Sequence, residues 1–303
     1  MTERSIPAKH QLLFLGTGAA QGIPAAYSPQ MRSPPADSRN IRSRSSVLID
    51  DSYQIDAGPD SWYQLLREQK SWDSLEHLMI THTHSDHLYW ENVLQKSGAR
   101  DHKGGPLNIY LSEVAKKWFL HTLFFSKNLK APVEEEIHDL EYELSPAYHF
   151  HQLTLWQEIQ IGEFRVTPVL GNHTGRMPED HAHNLLLKNS SGTQILYAVD
   201  TGFYSEETFE FLHGNKIDIL IMDCTFGART DRAEHPTGHL DCKSFIRMVA
   251  RLEINGTLTG DSKIIATHIN PDQGWDHEEM DAFWRTTDYN IITAWDGLTV
   301  GFL

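Results

Sequence analysis

From residue 10 onward the chain alternates short apolar runs with turn-forming residues, and a few stretches carry helical periodicity. Leu12 to Leu15 reads as a strand entering the turn Gly16-Thr17-Gly18-Ala19-Ala20-Gln21-Gly22. Ser46 to Asp50 and Tyr53 to Asp56 read as a hairpin about Asp51-Ser52, and 76–80 as a further strand. A helix is expected over 60–69, capped by Asp60 or Ser61. Asn108 to Leu111 predicts another strand, with a helix from about Ser112; the acidic, histidine-bearing stretch 126–152 fits no single period. Strands are expected at 153–161, 164–170, 183–188 and 194–199 in a meander-like run, then a helix near 205–213. Ile217 to Met222 is unbroken apolar sequence and reads as a buried strand. A helix over 240–253, a strand at 263–266, a helix over 276–286 and two short strands within 290–301 follow. Strand runs in each half with helices appended predict an α/β fold of two sheets packed face to face with helices outside, an αββα sandwich. With no internal repeat and no linker, a single domain over 1–303 is expected.

Composition narrows this only a little. Hydrophobic residues make up 40% and charged residues 22% of 303, an ordinary balance for a soluble globular chain. No stretch approaches the roughly 20 apolar residues of a membrane span, and Met1 to His10 lacks the apolar core of a secretory signal. A cytoplasmic location without a membrane partner is the expectation. Cys224 and Cys242 are the only cysteines and read as reduced thiols near the core. The formal charge of -15 repels nucleic acid and anionic membranes, so a nucleic-acid partner is disfavoured. Oligomeric state is left open, and a homodimer is compatible with the sequence.

The candidate chemistry sits between Thr81 and His87, where Thr-His-Thr-His-Ser-Asp-His follows the apolar run Leu78, Met79, Ile80. A strand ending at Ile80 delivers His82 and His84 to a loop with both rings on one side, while Asp86 and His87 are expected to open the next helix. Imidazole and carboxylate suit zinc, manganese or iron, and two such ions about 4 Å apart can clamp a phosphoryl or acyl group while activating water. Surface histidines are the plain alternative in a chain with 18 of them. Spacing, preceding strand and following helix together argue against it. Three more metal-type residues follow expected strands: His173 in Gly-Asn-His-Thr, Asp200 in Ala-Val-Asp-Thr-Gly and His268 in Ala-Thr-His-Ile. His235 and His277 compete in sequence with His268.

In order, Asp56, the His82 cluster, His173, Asp200 and His268 resemble the five motifs of the metallo-β-lactamase superfamily, and the match covers nearly the whole chain. Within it, Leu15-Gly16-Thr17-Gly18, Gln21-Gly22-Ile23-Pro24, Met222-Asp223-Cys224 and Gly238-His239-Leu240-Asp241 look like segments of the phosphoribosyl cyclic phosphate phosphodiesterases. The resemblance implies the four-layer fold and two divalent ions, zinc or manganese, with iron also compatible. It implies that His82, His84 and His173 hold one ion, that Asp86, His87 and His268 hold the other, and that Asp200 bridges both. Asp56 is implied to brace the ligand loop. The related phosphodiesterases often carry a separate structural zinc site, but here residues 25–44 have no cysteine and Asn270-Pro271-Asp272 has no histidine. Both halves of that site are missing together.

The expected reaction is hydrolysis of a small anionic phosphate ester by a metal-bridging hydroxide, oriented by Asp86 or Asp200, with His239 as general acid. Two ions leave the site net positive inside an acidic protein, which suits such a substrate. His183, paired with His181 in a second His-x-His, and Arg44, in the run Arg39, Arg42, Arg44, are the expected substrate-binding residues, with a solvated loop as the plain alternative for the arginines. Tyr89 and Trp90 are expected to cover a sugar face or to pack the helix. A tRNA 3′-processing type endoribonuclease and a lactone or thioester hydrolase are the competing readings, because the same metal core serves both. A non-catalytic metal-binding protein is the reading from a different class.

Overall fold

A computed structural model describes residues 9–98, 105–229, 231–270 and 275–303. The Pro271-Asp272 segment lies outside them, as does Met1 to Ala8. In chain order the strands are β1 (His10–Gly16), β2 (Ser46–Ile49), β3 (Tyr53–Ile55), β4 (His77–Met79), β5 (Leu107–Leu111), β6 (Tyr148–Gln152) and β7 (Ile159–Ile161). They continue as β8 (Phe164–Thr174), β9 (His181–Lys188), β10 (Gln194–Ala198), β11 (Ile219–Asp223), β12 (Lys263–Thr267), β13 (Ile291–Thr293) and β14 (Thr299–Phe302). The helices are α1 (Ser61–Arg67), α2 (Trp90–Val93), α3 (Glu113–Asn128), α4 (Glu134–Leu144), α5 (Glu206–Leu212), α6 (Cys242–Ile254) and α7 (His277–Trp284).

Among the described residues two seven-stranded sheets form, ordered β14-β1-β2-β3-β4-β5-β6 and β13-β12-β11-β10-β9-β8-β7. Three buried clusters divide the molecule into four layers. Phe14, Ile55 and Met79 of the first sheet meet Val166, Leu185, Ile221 and Ile265 of the second in the layer between the sheets. Leu78 and Ile109 point the other way, against Phe119 and Leu123 of α3 and Leu140 of α4. Leu220 and Ile264 likewise face outward, against Phe209, Phe245 and Trp284 of α5, α6 and α7. Adjacent residues such as Leu220 and Ile221 are thus buried on opposite faces, which is why the central strands read as unbroken apolar runs. This is the expected αββα sandwich.

Strand direction decides where chemistry collects. β3 to β6 are parallel to one another, and so are β10 to β13. β9 is antiparallel to both β8 and β10, so β8 and β10 share a direction. The carboxyl ends of these strands carry Asp56, His82, His173, Asp200, Asp223 and His268. In an α/β sheet that edge is where loops can converge without disturbing the core.

Some local expectations change. Asp86 and His87 do not open a helix; they lie in a turn in which His87 N and Leu88 N both donate to His84 O, at 3.0 and 2.8 Å. Ala57 N then donates to His87 O and Tyr89 N to Ala57 O, which draws the chain toward β3, and α2 starts only at Trp90. Stretch 126–152 resolves into the end of α3, α4 and β6. Residues 153–158 are a turn, with Trp156 at positive φ and its N–H on Pro168 O, so the strand expected there begins at Ile159. Asp60 precedes α1 but makes no side-chain cap; its carboxylate binds Arg44 instead. Ser112 caps α3, which begins where a helix was expected, and Asp276 and Glu279 form a capping box on α7.

Candidate metal centre

Two sets of donor atoms meet at the strand ends and share Asp200. His82, His84, His173 and Asp200 form one set and Asp86, His87, Asp200 and His268 the other, the offered atoms of each lying within 4.8 Å of one another. In the first, His84 Nδ1 lies 3.0 Å from His82 Nε2 and 3.1 Å from His173 Nε2. Asp200 Oδ2 is 3.3 Å from His82 Nε2 and 3.5 Å from His173 Nε2. In the second, His87 Nε2 is 3.2 Å from Asp86 Oδ2 and 3.3 Å from Asp200 Oδ2, and His268 Nε2 is 2.8 Å from Asp200 Oδ1. The structure therefore brings together all seven residues expected as ligands.

Their orientation comes from partners behind them. His87 Nδ1 donates to Asp56 Oδ2 at 2.7 Å, His268 Nδ1 to Thr225 Oγ1 at 2.7 Å, His82 Nδ1 to Thr81 Oγ1 at 3.0 Å and His173 Nδ1 to Gly238 O at 3.2 Å. These partners assign Nδ1 as the donor and turn each Nε2 toward the centre, the arrangement metal-binding imidazoles show. Asp56, fully buried, also accepts from Thr81 N at 2.9 Å. Asp180 accepts from Thr83 N at 2.9 Å and from Thr83 Oγ1, holding the loop between His82 and His84. Asp56, Asp200 and His268 sit at φ of 62°, 55° and 61°, a left-handed conformation uncommon outside glycine that concentrates at functional sites. Close backbone approach matters as well: a Cβ on Gly58 would stand 2.2 Å from Asp86 O, and one on Gly202 2.3 Å from Pro236 O. Replacing Asp56 by Asn, which tolerates the same φ, is expected to weaken metal retention by about 10- to 100-fold in a chelator competition. Unchanged retention would mean that Asp56 does not set the His87 tautomer.

The charges within the cluster test whether cations fit. Burial opposes ionisation, yet the imidazoles of His268 and His87 hold the Asp200 carboxyl well below its ordinary range. Burial likewise opposes a charge on His87 and His268, but the surrounding carboxylates push both well above the usual histidine value. Burial, with His87 close by, pushes His82 down to about 3, and burial pushes His173 down to about 4. Metal-free, the cluster thus balances its carboxylates with protons on two rings and keeps the others neutral. Among the described residues, His87 Nε2, His268 Nε2 and Asp200 Oδ1 are buried without a hydrogen-bond partner, although the last two lie 2.8 Å apart. Buried polar atoms converging without hydrogen bonds, together with neutral imidazoles, fit divalent cations that would displace those protons.

His239 stands at the rim, its ring centroid 4.8 Å from that of His173 and 5.4 Å from that of His268. Its Nδ1 donates to Asp223 Oδ2 at 2.8 Å. Burial disfavours the charged ring, but the Asp223 carboxylate outweighs it and the His239 pKa is raised. Asp223 also accepts from Thr225 Oγ1 at 3.0 Å, which links it to His268. Beside His173 lies a cavity of about 580 Å³ lined by residues including Asn172, His181, Ser205 and Thr237.

The residues expected at the substrate are engaged with other groups of the protein. Arg44 binds Asp60 at 2.8 and 3.0 Å and Ala20 O at 2.8 Å, Arg39 binds Asp37, and Arg42 is buried on Thr17 and Ala294 O. Burial lowers Arg42 to about 10. His183 is buried with its N–H on Thr81 O and does not line the cavity, whereas exposed His181 does. His183 pairs with Leu170 and His181 with Thr174, across a register shift in β8 that gives the two different surroundings. Tyr89 donates to Glu91, and Trp90 packs on the outer core of the first sheet. His277 bonds Arg42 and His235 stacks on Phe203, so neither competes with His268. Cys224 and Cys242 are free and buried. Sequence reasoning missed Asp180, Thr225 and the bracing role of Asp223. Asp223 had a legible signal, a carboxylate ending an apolar strand as Asp200 nearly does; Asp180 had none.

A four-layer sandwich with two histidine–carboxylate sets at its strand ends defines a metal-dependent hydrolase. The Beta-lactamase superfamily domain matches residues 53–269, and the chain belongs to that family. Ribonuclease Z of Leuconostoc mesenteroides is 23% identical over 297 residues, covering 86% of each chain. A crystal structure of a diphosphatase from the PhnP family superposes with a TM-score of 0.71 at 22% identity, covering 97% of this chain and 98% of that one. Zn²⁺-bound PqqB from Methylobacterium extorquens gives a TM-score of 0.65 at 15% identity, covering 96% and 100%. The expectation that a nucleic-acid partner is disfavoured finds no support in these relatives, one of which is a ribonuclease. No helix among the described residues is long and apolar enough to cross a membrane.

Proposed function

We propose that the chain hydrolyses a small, cyclic phosphate ester at a dinuclear centre. His82, His84, His173 and Asp200 hold one ion, and Asp86, His87, His268 and Asp200 the other. When bound, the ions supply Lewis acidity and a water that ionises near neutral pH. Asp86 and Asp200 keep the donor geometry and orient the nucleophile. Asp223 fixes the proton of His239 on Nδ1, so that Nε2 of the charged ring delivers a proton to the departing alkoxide. The observation that carries this reading is the Asp223–His239 pair against both ligand sets, because an alkoxide leaving group needs a proton donor at that place. A cavity of about 580 Å³ beside His173 suits a small substrate.

A second reading, tRNA 3′ processing, is favoured by the ribonuclease Z relative that covers 86% of both chains. The two part on a substrate panel. Protein stripped by chelator and reloaded with zinc or manganese is offered a ribose cyclic phosphate, bis(p-nitrophenyl) phosphate, pre-tRNA, a homoserine lactone and a glutathione thioester. Activity is expected to vanish on stripping, to return with about two ions per chain, and to favour the cyclic phosphate over pre-tRNA by at least 100-fold in kcat/KM. The opposite ranking establishes the second reading, and turnover of the lactone or thioester alone defeats both.

A further inference from the structure

Cys224 and Cys242 belong to neither donor set, yet their Sγ atoms lie 3.6 Å apart, with the two residues 0% and 2% exposed. The thiols would close by only about 1.5 Å to reach the roughly 2.05 Å of a disulfide bond. Each stands on a segment that steadies the metal centre. Cys224 follows Asp223, which accepts from His239 Nδ1, and precedes Thr225, which accepts from His268 Nδ1. Its N–H donates to Thr267 O at 2.9 Å, next to His268. Cys242 opens α6, three residues after His239. Its N–H donates to Gly227 O at 2.9 Å, and Gly227 N–H reaches Cys224 O at 3.3 Å. Leu240 N–H in turn donates to Asp223 Oδ1 at 3.0 Å. With both segments hydrogen-bonded to each other and to β12, a displaced sulfur hands its movement to Asp223 and Thr225.

We propose that Cys224 and Cys242 form an oxidation site, where a peroxide joins them in a disulfide that loosens the hold of Thr225 on His268. The consequence, though not the site, rests on the dinuclear reading given above. One thiolate attacks hydrogen peroxide, the O–O bond breaks, and a sulfenic acid and hydroxide result. The second sulfur then attacks the first, the S–S bond forms, and the sulfenic oxygen leaves as water. In sum two thiols and one peroxide give one disulfide and two waters. Burial, with the neighbouring thiol, pushes Cys224 well above the usual cysteine range, so the pair responds slowly and to sustained oxidant.

The test exposes zinc-loaded protein to hydrogen peroxide, removes the oxidant, and then denatures and alkylates the chain for mass spectrometry. Wild type is expected to lose both alkylatable thiols and the mass of two hydrogens. In a chelator competition on the folded protein, the oxidised form should surrender metal at least about tenfold more readily, the scale of a lost partner behind a ligand. Tris(carboxyethyl)phosphine should restore retention. Cys242→Ala and Cys242→Ser each leave one thiol that cannot close the bond, and peroxide should not alter their metal retention. Two thiols that stay alkylatable in wild type, a disulfide that leaves retention unchanged, or a loss of metal shared by both Cys242 variants overturns the proposal. Reduced protein that holds no zinc sinks the dinuclear reading, and the thiol count then judges the pair alone. Disulfide formation with metal release, but no phosphodiester turnover by the reduced enzyme, retains the pair and sinks the phosphodiesterase reading.

Discussion

Asp200→Asn is expected to lower kcat/KM by at least about 10³-fold and to leave fewer ions bound, because one carboxylate serves both donor sets. A metal pair contributes several kcal/mol of charge stabilisation in the transition state, and each 1.36 kcal/mol is a factor of ten. Asparagine is the informative replacement. It keeps the side-chain shape and tolerates the positive φ of 55° at this position, so loss of fold does not confuse the result. Its amide removes the negative charge that offsets His268 at 2.8 Å and His87 at 3.3 Å. Elemental analysis beside steady-state kinetics decides the matter. A variant that keeps two ions per chain and stays within tenfold of wild type would show that Asp200 does not bridge.

His239→Ala should cost about 10²- to 10⁴-fold on a cyclic phosphate ester, the range of general acid catalysis, and less than about tenfold on bis(p-nitrophenyl) phosphate. Nitrophenolate departs without a proton, so only the alkoxide substrate reports the acid. Asp223→Asn is expected to lie between, since it disturbs the proton on His239 Nδ1 and, through Thr225, the ring of His268. Equal losses on both substrates would remove His239 from proton transfer and leave it a wall of the site.

Much of the architecture was legible because burial on both faces leaves a simple trace. Ile217 to Met222 reads as a strand by its unbroken apolar character, and adjacent residues such as Leu220 and Ile221 pack into different layers. The candidate ligands were legible for a related reason: they follow such runs, and a strand end is where a polar residue escapes the core. Details that depend on hydrogen bonds between distant segments were not. The pull of Ala57 on His87 O and Tyr89 N replaces the expected helix at Asp86 with a turn. Arg44 looked free to meet phosphate, yet Asp60, 16 residues away, takes its guanidinium.

By itself the sequence determined the donor chemistry and its local spacing, since His82, His84, Asp86 and His87 are close along the chain whatever surrounds them. It also determined the strand periodicity that carries His173, Asp200 and His268 to strand ends. Only the tertiary structure decided that His268 rather than His277 or His235 joins the centre, that Asp180 steadies Thr83 across 97 residues, and that His181 rather than His183 borders the cavity. Local spacing is imposed by covalent geometry, whereas these pairings follow from sheet register and from the satisfaction of buried polar groups, which no single segment encodes.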